Sequence, residues 1–193
     1  QANGCTVICD DIGWLSEPYF EDGTIASHIK TLLSGNQIIY VSSAGNSANS
    51  HYQGSFYNDG TNFMDFSHGA SPYKWLYVHI PSNGRVRVAL EWNDPWGASS
   101  NDYDLGLWNP GTSTWIAGSV NSQTGTQNPF EFITYTNTNP SPIDAFIIVE
   151  NYYGFAATKT LEVYILYDGG AFPYIDNLVS ADSIFGHSAV PDV

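Results

Sequence analysis

The residues that are best suited to do chemistry follow a short apolar run and end in an Asn side chain. Residues 41–47 read VSSAGNS, so that Gly45 and Asn46 come directly after small side chains. An Asn at the carboxyl edge of a buried parallel strand can donate a hydrogen bond to an oxygen that becomes negative during acyl transfer. The other interpretation is a plain turn, because Gly-Asn pairs are common in loops. Residues 41–47 by themselves leave both interpretations open.

Carboxylates are concentrated in a second stretch, residues 92–107, which reads WNDPWGASSNDYDLGL. Asp102 and Asp104 are two residues apart and share a face if this segment is extended. Together with Asp94 they offer the oxygen ligands that Ca²⁺ prefers. Asp and Asn also collect in hairpin loops for reasons of turn geometry, and the spacing of an EF-hand is not present. A calcium site at Asp94, Asp102 and Asp104 is therefore a hypothesis, and no other cofactor is expected.

The histidines do not form a local catalytic pattern with a serine. Ser43 and Ser188 are the serines considered as nucleophiles, and their spacing from the histidines predicts no nucleophile and base pair. The five histidines are His28, His51, His68, His79 and His187. The two cysteines, Cys5 and Cys9, are too far apart along a strand for a disulfide, so free thiols are expected.

The amino-acid composition excludes some classes of binding partner. The 193 residues contain 5 Lys and Arg against 19 Asp and Glu, which gives a net charge of -14. This balance argues against a nucleic-acid partner and against an anionic membrane surface, since both need a basic stripe. No apolar run approaches the roughly 18 residues of a membrane span. Few lysines and many aromatic, Asn, Ser and Gly residues are typical of extracellular β-proteins, so a secreted or extracellular location is expected.

The elements around Asn46 follow a strand, helix, strand pattern. Residues 5–9 and 37–44 are apolar runs of the kind that buried parallel strands show. Between them, apolar positions recur at helical spacing after Asp22, with Gly35-Asn36 as the expected end of the helix. The pattern predicts a βαβ unit whose helix presents one face made of Ile25, His28, Ile29, Leu32 and Leu33.

Residues 71–168 have the pattern of an antiparallel β-domain. Residues 85–92 and 161–165 alternate between apolar and polar, and residues 146–149 are apolar throughout. Turn signals occur at residues 82–84, 109–111 and 137–142. The fold class predicted is therefore mainly β, a sandwich or jelly roll inserted into a partial α/β domain. The predicted boundaries are 1–70, 71–168 and 169–193, with residues 47–70 irregular.

Aromatic residues of the β-domain suggest a different function, binding of a sugar or a peptide by ring stacking. Alternation along the strands also explains many of them as core or sheet-face residues. The residues concerned are Tyr73, Trp75, Trp96, Trp108, Trp115, Tyr152 and Tyr153.

Four segments, in order, resemble the subtilisin-like serine proteases. Residues 4–13 (GCTVICDDIG) are similar to the first strand and the substrate-lining turn of that family, and residues 22–33 to its helix. Residues 38–46 are similar to the strand that ends in Ala-Gly-Asn. Residues 182–193 are similar to the stretch that leads to the strand after the oxyanion region of that family. Residues 71–168 also resemble the jelly-roll domains of many secreted proteases, which carry a Trp-Asp-Pro and an Asn-Asp-Xaa-Asp-Leu pattern.

The resemblance implies roles for individual residues. Asn46 would supply the side-chain half of the oxyanion hole. Asp11, Ile12 and Gly13 would pair with the substrate backbone, in place of the family's usual Ser-Leu-Gly or Ser-Trp-Gly. Asp10 and Asp11 depart from the family pattern. They would either favour basic or amine-bearing substrate groups or cap a turn.

The family's motifs for the catalytic Asp, His and Ser match no string in this chain, and His187 does not occupy the position of the catalytic base. The expected parent is a secreted serine endopeptidase that acts on protein or peptide substrates. The chain alone is expected to be a fragment without activity. The alternative is a non-catalytic extracellular β-sandwich module that binds carbohydrate or protein.

Overall fold

The computed structural model describes residues 4–35, 38–174, 176–191 and 193. The chain is mainly β with antiparallel sheets, as the sequence predicted. It divides into two compact units, an α/β unit of residues 1–46 and 182–193 and a β-sandwich of residues 47–181. No helix in the described ranges combines the length and the apolar character needed to cross a membrane.

The α/β unit contains the predicted strand, helix and strand. Strand β1 (Val7–Asp10) pairs in parallel with β2 (Ile39–Ser42), and helix α1 (Thr24–Leu33) connects them. The helix buries Ala26 and Ile29, whereas His28, which was expected on the same face, is exposed. The predicted end of the helix at Gly35-Asn36 and the predicted strand start at Gln37 fall partly outside the described residues.

One face of the parallel pair is apolar and uncovered. Val7, Ile39 and Val41 are 58%, 61% and 47% exposed. Side chains on the opposite face, such as Ile8 and Tyr40, are half-buried. Parallel strands are normally covered on both faces, but no described residue of this unit covers the face of Val7, Ile39 and Val41. Cys5 and Cys9 are free, as expected from their spacing.

The β-sandwich consists of two antiparallel sheets. The four-stranded sheet has the order β3 (His51–Ser55), β10 (Thr160–Asp168), β5 (Arg85–Trp92), β8 (Phe130–Thr136). The five-stranded sheet has the order β11 (Phe172–Pro173), β4 (Leu76–Ile80), β9 (Ile143–Asn151), β6 (Tyr103–Asn109), β7 (Thr114–Ser119).

The core lies between these sheets and follows the alternation seen in the sequence. Val86, Val88, Leu90 and Trp92 of β5 are fully buried, as their spacing predicted. They pack with inward residues of β6, β9 and β10, including Leu105, Leu107, Ile147, Val149, Leu161 and Val163. Burial of such side chains contributes roughly 25 cal/mol per Å² of apolar surface, which makes this shared layer the main source of the sandwich's stability.

The prediction that residues 47–70 are irregular is wrong in part. Strand β3 pairs with β10 along its whole length, and Tyr52 faces the core. The alternation is hard to see because β3 contains a single large apolar residue, and Gly54 leaves room for the Tyr52 ring. Met64 and Phe66 also join the core. The compact units accordingly divide at residues 46/47 and 181/182, whereas the predicted boundaries were 70/71 and 168/169.

Candidate functional site

Asn46 lies just beyond the carboxyl end of β2. The chain leaves the strand after Ser42 and passes through Gly45, whose φ of 71° is a conformation that residues with a Cβ rarely adopt. The backbone N–H of Gly45 donates to Ser43 Oγ at 3.2 Å, which closes the turn. The side chain of Asn46 is exposed beyond this turn. Its amide is therefore available to a group that approaches the carboxyl edge of the sheet.

The predicted substrate-lining residues leave the same edge. Asp10, the last residue of β1, is in register with Ser42, the last residue of β2. Asp11, Ile12 and Gly13 follow directly and are all exposed. Parallel strands place their carboxyl ends together, which is where open α/β folds bind ligands. The structure thus brings the predicted oxyanion donor and the predicted substrate segment to one edge of one sheet.

A polar cluster lies at the end of the two strands, on the half-buried face. Asp10 accepts hydrogen bonds from the Tyr40 hydroxyl and, at 2.5 Å, from the Ser42 hydroxyl. Burial alone would raise the pKa of Asp10, but the hydrogen bonds from Ser42, Tyr40 and His187 hold it below its usual value. Burial and the Asp10 carboxylate raise the pKa of Tyr40 to about 12.

His187 connects this cluster to the C-terminal segment. It lies in a short 3-10 helix, Gly186–Ala189, and is 1% exposed. Its Nε2 is 3.2 Å from Asp10 Oδ2. On the other side, its backbone N–H donates to Glu17 Oε2 at 3.2 Å, and Glu17 Oε1 accepts from the backbone N–H of Ala26 at 3.2 Å. Residues of β1, α1 and the C-terminal segment are therefore held together by buried polar contacts.

The cluster contains the residue types of a catalytic triad without its geometry. Ser42 Oγ is 3.4 Å from His187 Nε2 and 2.9 Å from Ser188 Oγ. In a triad the carboxylate holds the ring nitrogen opposite the one that faces the serine. Here Glu17 Oε2 is 3.5 Å from the opposite nitrogen, Nδ1, but no hydrogen bond joins them. Asp10 instead contacts the same Nε2 that faces the serine, and Ser42 donates to Asp10. The arrangement positions the C-terminal segment. Sequence reasoning missed it because Ser42 and His187 are 145 residues apart.

Asp94, one of the three predicted calcium ligands, has its carboxylate occupied by hydrogen-bond donors. Its Oδ1 is 2.6 Å from Lys159 Nζ, and its oxygens accept from Asn101 Nδ2 at 2.9 and 2.8 Å and from Ser99 Oγ at 2.9 Å. Burial opposes ionisation, yet the bonds from Lys159, Asn101 and Ser99 lower the pKa of Asp94 to about 2. This carboxylate therefore joins the loop after β5 to the segment before β10.

Asp102 and Asp104, the other two predicted ligands, lie in a different environment. Asp102 Oδ1 accepts from the backbone N–H of Gln123 at 3.3 Å, and burial raises its pKa. Burial also raises the pKa of Asp104, to about 7, together with the charges of Asp102, Glu131 and Glu150. Within the described ranges, no three His, Cys, Asp or Glu side chains are arranged to hold a metal ion. Calcium binding stays a prediction.

None of the seven aromatic residues considered for binding is buried in the core. Tyr73, Trp115, Tyr152 and Tyr153 are exposed, and Trp75, Trp96 and Trp108 are half-buried. Trp108 and Trp115 meet edge to face, with ring centroids 5.1 Å apart, across β6 and β7. The interpretation of these rings as core residues is therefore wrong, because they occupy outward positions of the strands and the loops. Trp108 and Trp115 lie on a sheet face, which that interpretation also allowed.

Comparison with family models and with curated proteins finds no match for this chain. Its function is accordingly inferred from the geometry of the carboxyl edge of β1 and β2 and from the surface of the β-sandwich.

Proposed function

We propose that this chain is part of a secreted, subtilisin-like serine endopeptidase and that Asn46 donates a hydrogen bond to the oxyanion of the tetrahedral intermediate. One observation carries the proposal: Asn46 and residues 11–13 leave the same carboxyl edge of two parallel, hydrogen-bonded strands. Such an edge is the ordinary ligand-binding position of an open α/β sheet.

The proposed mechanism assigns a distinct role to each segment. The substrate backbone would run along residues 11–13, which are exposed and irregular after β1. The scissile carbonyl oxygen would then meet the Asn46 amide, whose N–H donates as negative charge develops on that oxygen. The nucleophile, the base and its orienting carboxylate are supplied by other parts of the parent protein. The chain alone is expected not to hydrolyse peptides.

The uncovered face of the parallel pair supports the same proposal. Val7, Ile39 and Val41 present apolar side chains where a doubly covered sheet would have a second layer. In the proposed parent, further strands and helices of the catalytic domain would cover this face. Exposed branched apolar side chains on a two-stranded sheet are otherwise unfavourable by roughly 25 cal/mol per Å².

Of the two acids that depart from the family pattern, Asp11 is the one positioned to act on a substrate. Asp10 is engaged by Tyr40, Ser42 and His187. Asp11 is exposed at the carboxyl edge. A preference for basic or amine-bearing substrate groups is therefore assigned to Asp11.

The test of this proposal is Asn46→Ala in the full-length parent. Turnover should fall by roughly a hundredfold with little change in KM, because the lost hydrogen bond forms mainly in the transition state. Asn49→Ala is the matched control, since Asn49 is also an exposed amide but lies in the following 3-10 helix. Unchanged turnover in the Asn46 variant would remove the assignment.

A non-catalytic binding module is the second candidate function. The exposed rings of Tyr73, Trp115 and Tyr153 favour it, because aromatic faces can stack on sugars or peptides. A glycan array followed by calorimetry measures such binding directly. Absence of any response on the array would argue against the carbohydrate form of this candidate.

A further inference from the structure

A groove on the outer face of the five-stranded sheet has a flat floor made by two glycines. Gly106 of β6 and Gly118 of β7 are directly opposite each other in the strand register. The groove has a volume of about 520 Å³. Its other walls include Trp115, Ile148, Asp104 and Glu150. We call this site the glycine groove.

One side of the glycine groove is an aromatic wall. The ring of Trp115 lies over Gly106, since a Cβ added at Gly106 would fall inside the ring's van der Waals envelope. Trp115 is 52% exposed, and its ring also meets the Trp108 ring edge to face. The glycine floor therefore leaves an indole face beside an apolar channel, to which Ile148 of β9 also contributes.

The end of the glycine groove is acidic. Asp104 of β6 and Glu150 of β9 are directly opposite each other in the register, and both line the groove. Like charges at opposed positions of an antiparallel pair repel each other. Burial raises the pKa of Asp104, and the charges of Asp102, Glu131 and Glu150 raise it further. Burial also raises the pKa of Glu150.

Within the described ranges, no lysine or arginine forms an ion pair with Asp104 or Glu150. None of the five Lys and Arg residues is among those that line the groove. Four of them form ion pairs elsewhere: Lys30 with Asp22, Lys74 with Asp59, Arg85 with Asp168 and Lys159 with Asp94. A positive group supplied from outside would be complementary to this end of the groove.

We propose that the glycine groove binds the side chain of a lysine or arginine carried by another polypeptide. The methylene stem lies along Trp115 and Ile148, and the cationic head lies between Asp104 and Glu150. Lysine and arginine are the side chains that combine an apolar stem with a charged tip. A cation beside an indole face gains further attraction from the ring. This site does not depend on the protease proposal, because it lies wholly within the β-sandwich.

The test titrates the isotope-labelled 193-residue chain with blocked pentapeptides in which a central lysine, arginine or norleucine is flanked by glycines. Norleucine keeps the apolar stem and removes the charge. The lysine and arginine peptides should shift the amide resonances of Gly106 and Gly118 and the indole resonance of Trp115. The norleucine peptide should bind several-fold more weakly. Equal binding by norleucine would overturn the proposal, as would the absence of shifts with all three peptides.

Single substitutions separate the groove from the general negative charge of the chain. Glu150→Gln and Trp115→Ala should each weaken lysine-peptide binding by about three- to fivefold, the range of exposed ion pairs and cation–π contacts. Asp144→Asn is the matched control. It removes one charge from the same strand, at a carboxylate that contacts His79 and Tyr174. Equal weakening by Asp144→Asn would overturn the proposal. A dispersed amide spectrum confirms that each variant is folded.

Two other ligands complete the test. Calcium chloride added alone, or a neutral oligosaccharide such as maltohexaose, should leave the Gly106, Gly118 and Trp115 resonances in place. The same shifts on addition of calcium would identify a divalent-cation site instead. The same shifts with the oligosaccharide would identify a sugar-binding groove. Either result would overturn the assignment to a basic side chain.

Discussion

At the scale of single residues, the titration of Asp104 makes the stability of the chain depend on pH. Burial and neighbouring carboxylates raise the pKa of Asp104 to about 7 in the folded chain, from an ordinary value of 3.8. At a pH between these two values, Asp104 is protonated in the folded chain but has released its proton in the unfolded chain. The free energy of unfolding therefore falls as the pH rises through this window, and the loss is complete above about pH 7.

Asp104→Asn removes this titration. We expect the variant to have a higher Tm than the parent chain at about pH 8, by roughly 2–4 °C, and a shallower decline of Tm between about pH 5 and pH 8. Thermal unfolding followed by circular dichroism measures both. Asp176→Asn, at an exposed carboxylate of the same compact unit, should show neither effect. A lower Tm for the Asp104 variant at about pH 8 would contradict the assigned pKa.

The calcium hypothesis competes with the basic side chain for Asp104. It predicts that a saturating chelator lowers the Tm of chain prepared with calcium, because an ion bound to the folded state stabilises it by mass action. Asp102→Asn should then abolish the difference. An identical midpoint with and without chelator would count against a structural ion at Asp94, Asp102 and Asp104.

At the scale of elements, the 3-10 helix Gly186–Ala189 depends on a glycine. Gly186 has a φ of 64°, and a Cβ there would collide with the Glu17 carboxylate, which also accepts the backbone N–H of His187. Alanine at this position must displace either Glu17 or the helix. Both movements disconnect buried polar groups, each of which costs about 1–3 kcal/mol when left without a partner.

Gly186→Ala should therefore increase hydrogen exchange at the amides of residues 186–190. Gly35→Ala is a control in the same unit, since Gly35 has a φ of 83° but no atom within 4 Å of an added Cβ. The Gly35→Ala variant therefore has only the backbone conformational penalty of about 1 kcal/mol, without a steric collision. If both variants exchanged residues 186–190 at the same rate, the collision with Glu17 would have no structural importance.

At the scale of the whole molecule, the two compact units differ in how much apolar surface each can bury. The β-sandwich encloses a core shared by two sheets. In its described residues, the α/β unit has one α-helix, one short 3-10 helix, two strands and an exposed apolar face. Because stability increases with the fraction of surface removed from water, we expect the α/β unit to open at lower free energy.

Native-state hydrogen exchange tests this difference. Amides of α1 and β2 should exchange under milder denaturant than those of β5 and β10. The reason is that the α/β unit buries less apolar surface than the β-sandwich. Equal protection in both units across the denaturant series would show that the chain unfolds as one cooperative body.

The sequence by itself determined those strands and helices in which buried side chains recur every two, three or four residues. The alternation of residues 85–92 and 161–165 predicted β5 and the middle of β10. The helical spacing after Asp22 predicted α1. Each pattern is visible because the apolar residues of one face pack against a core. The turn residues after β4, β6 and β8 were also found. Asn46 could be placed after a strand for the same reason.

Only the tertiary structure decided which distant residues meet. Strand β3 has a weak pattern and is held by its ladder with β10. The contacts of Asp10 with His187 and of Asp94 with Lys159 join residues that are far apart in the chain. The register of β6 and β9 likewise sets Asp104 opposite Glu150. Periodicity reports whether a side chain faces a core, whereas the partner it meets depends on strand order and register. That is why the polar cluster and the glycine groove had no signature in the sequence.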